Sequence, residues 1–313
     1  MRFFENDSLD PYFNQAYEEY IFRTYREGVN FLVWRNRASV ICGAGQCLPA
    51  ETDLALAARD NIPVLRRATG GGAVYHDPGN VNFAFMADAK GKHIDYGRFL
   101  RPVCRALQGL GIDARPAGVS EVMIGAHKIS GNAQKIAGDR VWHHGTLLYD
   151  ADLKQLHRLA NGQRGFFTTR AVPSRPVPVT NIAWRMAAPF GDTRAFMQAF
   201  VREMARVCGP LDRQTLTAEE KTEVNGLAAD KYRSWEWTLA QGPPFTYRRT
   251  LSYRGAPLTV SYRAKRGRIE SLAFDPAYPE AAAALRGVRI KRSDLTAALA
   301  AFPDLEGLAG MLF

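Results

Sequence analysis

The 313-residue chain has no apolar run approaching the roughly 18 residues of a membrane span. Its opening stretch, MRFFENDSLD, has no apolar segment of a secretory signal, so a cytoplasmic setting without membrane attachment is expected. Cysteine is scarce: Cys42, Cys47, Cys104 and Cys208 stand apart, with no CxxC pair and no His cluster at zinc spacing. That excludes a disulfide framework and a structural zinc site, and fits a reducing compartment. No GxxxxGK[ST] loop or GxSxG elbow occurs, and GAGQCL at Gly43 lacks the third glycine of the dinucleotide pattern, so it reads as a strand-end turn. The formal net charge is +10, yet no run of like charges and no compact DNA-reading motif accompanies it. Nucleic acid is therefore not the expected partner. An acidic protein or an anionic small substrate fits the charge better.

Apolar content of 46% and charged content of 23% are those of an ordinary globular protein, and the length suggests two domains. Asp10-Pro11 is a helix start, followed by Phe13, Ala16, Tyr17, Tyr20 and Ile21 at helical spacing, with Gly28 closing the element. FLVWR, ASVIC, IPVLRR, AVYHD and VNFAFMA read as strands of one sheet, in which a glycine loop joins two of them. A helix is expected over Tyr96–Leu110, then strands EVMI, HKISGNAQKIA and VWHHGTLLY, a helix from Asp150–Asp152, and another over Thr193–Cys208. Between the last two helices, NGQRGFFTTRAVPSRPVPVT reads as a long irregular connection. AQGPP punctuates the chain near Gly242, and beyond it short alternating strands and an alanine-rich helix form a small α+β unit, carrying eleven Lys/Arg against six Asp/Glu from Pro244 onward. The expected division is 1–242 and 243–313.

Two stretches carry chemistry. RRATGGGAVYHD, Arg66 to Asp77, sets two cations before three glycines. On its own it is either a Gly-rich hairpin turn with a solvated charge pair or a loop whose backbone N–H groups meet an anion. In HKISGNAQKIA, period-two alternation puts Lys128, Ser130 and Asn132 on one side and Ile129 on the other. Lys128 reads either as an edge-strand lysine reaching water or as a functional cation within a sheet. His143 and His144 read as one core and one surface histidine.

Taken in order, RRATGGGAVYHDPGNVNFAF, KISGNAQK and HHGTLLYDADL strongly resemble the lipoate–protein ligase A family, within the biotin/lipoate-attachment superfamily. The match runs from Phe4 to Ile182, and SWEWTLAQGPPF extends it more weakly toward the C-terminus. The resemblance implies an α+β fold: a mixed β-sheet catalytic domain flanked by helices, biotin/lipoate ligase-like, with a small α+β C-terminal accessory domain. It implies a two-step reaction in which lipoate, and octanoate with it, is activated by ATP to the acyl-adenylate and passed to a lysine of acceptor lipoyl domains. Such acceptors are 2-oxoacid dehydrogenase E2 subunits and the glycine cleavage H protein. ATP is then co-substrate, Mg²⁺ is expected with it, no metal ligands are assigned, and a monomer is expected.

By the same resemblance Lys128 is catalytic and touches both anions. Arg67, Gly72, Ala73, Val74, Tyr75 and Lys128 hold ATP; Arg66, Gly70, Gly71, Gly72, His76 and Lys128 hold lipoate, whose tail lies along Val74, Phe83 and Phe85. Asp77 and the paired histidines are supporting residues. The family's Lys- and Ser-rich SVRSRV-x-N-L segment is replaced by NGQRGFFTTRAVPSRPVPVTNI, which lacks lysine, so nucleotide contacts from this loop are not carried over. The rival reading is a lipoyl- or octanoyltransferase using a preactivated donor; its thioester route needs a cysteine, and none lies between Arg105 and Val207. Biotin ligase fits less well, because RRATGGG stands where a GRGRxGR-type loop is required. A non-catalytic lipoate- or nucleotide-binding protein would keep the pocket without turnover.

Overall fold

The computed structural model describes residues 1–91, 93–160 and 164–312. In chain order come β1 (Arg2–Glu5), α1 (Pro11–Thr24), β2 (Asn30–Arg35), β3 (Ser39–Cys42), α2 (Leu48–Glu51), α3 (Leu54–Arg59), β4 (Val64–Arg66), β5 (Val74–His76) and β6 (Asn80–Asp88). There follow α4 (Gly97–Gly109), β7 (Arg115–Ala117), β8 (Glu121–Ile124), β9 (His127–Ala137), β10 (Arg140–Leu148) and α5 (Leu153–Ala160). A long connection holding β11 (Phe167–Thr169) leads to α6 (Thr193–Cys208), β12 (Asp212–Gln214) and α7 (Ala218–Leu227). Last are β13 (Phe245–Tyr253), β14 (Ala256–Lys265), β15 (Arg268–Asp275), α8 (Pro279–Leu285) and α9 (Arg292–Leu299). Among the described residues no helix is long and apolar enough to cross a membrane.

Eight strands form a mixed sheet in the order β12-β1-β2-β6-β10-β9-β8-β7, with β1 parallel to both neighbours and the rest antiparallel. Side chains alternate across it. On one face Phe31, Phe83, Phe85 and Leu147 meet the apolar sides of α4 and α6. On the other Leu32, Trp34, Ala84, Met86 and Trp142 meet α1. Asp10 caps α1 by accepting from Tyr12 N at 3.2 Å, with Pro11 in the first turn. The helix stops at Thr24, four residues before the expected glycine, and Gly28 at φ 65° turns the chain into β2.

The single sheet expected around the glycine loop is two sheets. β3 lies between β4 and β5 in a separate three-stranded sheet, so the loop crosses over β3 rather than forming a hairpin. Another departure lies in β9. The register against β8 shifts between Val122 and Met123, which pair with Ser130 and Lys128, and Ile129 is the extra residue. The bulge breaks the expected alternation. Ile129 still joins the α4/α6 core, but Ser130 is fully buried and no longer shares a wall with Lys128.

The C-terminal sheet runs β11-β13-β14-β15. Its apolar side packs on α8 and α9 through Tyr247, Val260, Tyr262, Leu285 and Leu295, and takes in Cys47 and Ala50 from the α2 region. The connection expected to be irregular thus contributes a strand to this sheet; its first three residues, 161–163, lie outside the described ones. The fold is α+β, a mixed sheet flanked by helices with a small C-terminal α+β part.

Candidate active site

A cavity of about 460 Å³ opens between the α1 face of the large sheet and the small sheet. Its wall includes Gln15, Trp34, Arg67, Gly71, Gly72, Ala73, Val74, His76, Lys128, Gly131, Asn132, His144 and the segment Val172 to Arg175. A cleft of similar size lies between β1, α6 and β12, where Arg194 pairs with Asp7 at 3.3 Å and Arg213 with Glu5 at 3.0 Å, and Arg202 also lines the wall.

The glycine loop is built around Arg67, which is 5% exposed. Its Nη2 donates to the carbonyls of Gly70 and Gly72 at 2.5 and 2.7 Å, and Nη1 to that of Ile41 at 3.0 Å. Burial pulls its guanidinium down to about 10. Gly71, at φ 86°, turns its carbonyl onto Gly43, where a Cβ would lie 2.1 Å from the oxygen. That close approach is why the turn at Gly43 needs glycine.

Arg66 points away from the cavity. Its Nη1 donates to the carbonyls of Gly43, Ala44 and Gln46, each at 2.9 Å, and its Nε to that of Thr238 at 3.1 Å, while Trp237 Nε1 returns a bond to the Arg66 carbonyl. Successive strand residues face opposite ways, so only one of two adjacent arginines can reach a given side. Gly70 and Tyr75 also stand off the wall; Tyr75 packs with Val40, Cys42 and Leu159. Gly71, Gly72, Ala73, Val74 and His76 are on it. Phe83 and Phe85 are not, since alternation turns them into the opposite core. His76 Nδ1 meets Asn36 Nδ2 at 2.8 Å, and burial pushes its imidazole down to about 3. Asp77 accepts from Gly79 N and Asp152 N at 2.8 and 2.7 Å, tying the following turn to the start of α5.

Lys128 is a quarter exposed, and its Nζ pairs with Glu121 Oε1 at 3.3 Å. Its backbone is clamped by the end of the long connection: Lys128 N donates to Pro178 O at 2.8 Å and Thr180 N to Lys128 O at 3.1 Å. Gly131 leaves room for the side chain, because a Cβ there would lie 3.1 and 3.2 Å from Lys128 Cε and Nζ. Lys128 and the loop residues Gly71 to Val74 therefore line one wall.

The two histidines divide differently from expectation. His143 is in the core, stacked on Phe99 at 4.8 Å with its imidazole held well below the usual range by burial. His144 is at the cavity rather than the surface, held by Glu18 and Thr69. The long connection lies on the glycine loop through Ser174, whose Oγ accepts from Ala73 N at 2.8 Å and donates to the buried Glu51 carboxylate at 2.5 Å. Glu18, Glu51, Thr69, Glu121 and Ser174 were missed from sequence. No local signal marked Glu18, because the spacing of Phe13, Ala16, Tyr17, Tyr20 and Ile21 leaves it off the expected apolar face.

The chain matches the family described as Lipoyl protein ligase A/B catalytic domain over residues 10–205. It belongs to that family. Lipoate–protein ligase 1 of Staphylococcus aureus is 32% identical over 273 residues, 86% of this chain and 83% of that protein. A crystal structure of lipoate-protein ligase A bound with ATP is 27% identical with a TM-score of 0.62, covering 75% of this chain and 97% of the other. A bi-partite lipoate protein ligase from Thermoplasma acidophilum, described with its E2 lipoyl domain, is 25% identical with a TM-score of 0.64 over 76% of this chain and 95% of its own. Within this ligase family the chain has no thiol on the cavity wall among the described residues. Burial pushes Cys42 and Cys47 up to about 12, far from a reactive thiolate.

Proposed function

We propose that the protein is an ATP-dependent lipoate–protein ligase that also accepts octanoate and modifies a lysine of acceptor lipoyl domains, of E2 and H-protein type. The observation that carries this is the single cavity wall shared by Lys128 and the glycine loop. A carboxylate and an α-phosphate repel each other, and a compact ammonium between them lowers that repulsion as the carboxylate oxygen attacks phosphorus and pyrophosphate leaves. In the second step the acceptor amine attacks the acyl carbon and AMP departs with the bond electrons, its phosphate still facing Lys128. Arg67, Gly72, Ala73 and Val74 are proposed for the nucleotide, and Gly71, Gly72 and His76 for the acyl group. Arg66, Gly70 and Tyr75 act from behind the loop. The proposed division into a catalytic part, 1–242, and an accessory part, 243–313, has β11 crossing it.

Mg²⁺ finds no resident cage. Among the described residues no group of three or more His, Cys, Asp or Glu could hold a metal ion, and Glu121 is the one carboxylate on the cavity wall. An ion would arrive on the nucleotide phosphates. The absence of a cavity thiol supports ligase over thioester transfer. The test is lipoate-dependent exchange of pyrophosphate into ATP. Modification of an acceptor from synthetic lipoyl-AMP without that exchange sinks the ligase reading in favour of the transferase.

A further inference from the structure

Arg67 is a buried cation with no carboxylate paired to it directly among the described residues; its donors end on backbone carbonyls and, from Nε, on Thr69 Oγ1 at 3.2 Å. Thr69 Oγ1 lies 2.7 Å from His144 Nε2, and His144 Nδ1 lies 2.6 Å from Oε1 of Glu18, a side chain with no solvent exposure. Trp142 Nε1 donates to the same carboxylate oxygen. An ionised carboxylate only accepts and a guanidinium only donates. With His144 as the neutral imidazole, these ends set the direction between them: Nδ1 of His144 carries the proton toward Glu18, Nε2 accepts the Thr69 hydroxyl, and Thr69 accepts from Arg67. Three bonds, all donating one way, join a buried cation to a buried anion. Bonds aligned in this manner polarise one another, and the low-dielectric surroundings make each costly to lose.

We propose that Glu18 and His144 are positioning residues that act through Thr69 to hold Arg67, and with it the glycine loop, in the shape that receives the nucleotide. The proposal rests on the ligase reading only for what the loop receives. Arg67 is the loop's internal scaffold, clamping the Gly70 and Gly72 carbonyls and so fixing the backbone on either side of Gly71. The bonds through Thr69 and His144 anchor that scaffold to α1 and to β10 of the large sheet. His144 also lines the cavity, so Thr69 and Glu18 are the cleaner positions to change.

The experiment compares Thr69→Val, Thr69→Ser, Glu18→Gln and the Val/Gln double variant. It measures adenylation kinetics by pyrophosphate exchange and amide hydrogen exchange over residues 66–76. Thr69→Val should lower kcat/KM for ATP about tenfold while leaving KM for lipoate in place, and Thr69→Ser should recover most of the loss. Glu18→Gln removes the negative charge that draws the His144 proton to Nδ1 and so loosens the hold on Thr69; its loss should match. Thr69 and Glu18 do not touch, yet the double variant should lose no more than the worse single one. Faster exchange over 66–76 should accompany each loss, with or without substrate. Additive losses, or unchanged exchange in Thr69→Val and Glu18→Gln, overturn the proposal. Faster exchange in a protein whose wild type shows no pyrophosphate exchange upholds the positioning role and removes the ligase reading instead. Should Thr69→Val not fold, Thr69→Ala reads the same bond.

Discussion

Lys128→Ala separates rate from stability. In the unliganded site the ammonium faces Glu121 at 3.3 Å, with the two side chains 24% and 27% exposed. A contact at that distance is worth about 5 kcal/mol of gross attraction at an effective dielectric of ~20. The reactants must displace Glu121, so that pair opposes their binding, and the rate loss is instead the roughly 3–4 kcal/mol, or 10²–10³, typical of removing a preorganised electrostatic contact. Folding should lose less than about 1 kcal/mol, because a partly exposed pair contributes little and its partner can turn to water. Adenylation is measured by pyrophosphate exchange and transfer from synthetic lipoyl-AMP to an acceptor domain, with thermal unfolding as the control. Both steps should fall. Lys128→Arg should not restore them, since the side chain runs in the space that Gly131 leaves and a planar fork is wider than an ammonium. Near-normal rates in folded Lys128→Ala would refute the assignment of the site.

Glu51→Ala frees Ser174 from its carboxylate and should raise KM for ATP several-fold and quicken proteolysis near 170–176; unchanged cleavage there speaks against the contact. Replacing Cys42, Cys47, Cys104 and Cys208 together by alanine should retain catalysis in whatever fraction folds. Alanine is the better choice than serine because three of the four are buried and a hydroxyl would be left without a partner; an acyl-thioester caught by mass spectrometry in the wild type would overturn the direct route. His76 binds its proton only near pH 3 when folded, against about 6.5 when unfolded, so between these values the unfolded chain holds more protons. Stability should therefore fall as pH drops through that window and be fully present above it. His76→Gln should flatten the urea-unfolding slope there by up to about 1.4 kcal/mol per pH unit, and an unaltered slope counts against a buried neutral imidazole.

Local pattern made much of this legible. Strands and helices followed from alternation, helical spacing and punctuation, and the glycine loop and lysine strand stood out because their residues are expensive anywhere else. What could not be read depends on partners far along the chain. Which of Arg66 and Arg67 enters the cavity is decided by the side of β4 that meets Thr238, 172 residues later. The bulge at Ile129 is a property of two strands in register, not of either alone. Phe83 and Phe85 looked suited to an apolar slot, yet the choice of face belongs to α4 and α6. Glu18 sits in a helix whose apolar spacing drew the eye, and its importance appears only when β10 brings His144 beside it.

Strand β11 gives the chain an unusual weave. Phe167, Thr168 and Thr169 pair with Tyr247, Thr246 and Phe245, and five residues beyond Thr169 the same connection sets Ser174 on the glycine loop. The segment is thus stitched at one end into the C-terminal sheet and at the other into the cavity rim, while Cys47 and Ala50 are sewn into the same C-terminal core. A cut in the backbone after Gly242 would divide the sequence without parting the fold: the two pieces would stay fastened by a shared sheet and a shared core.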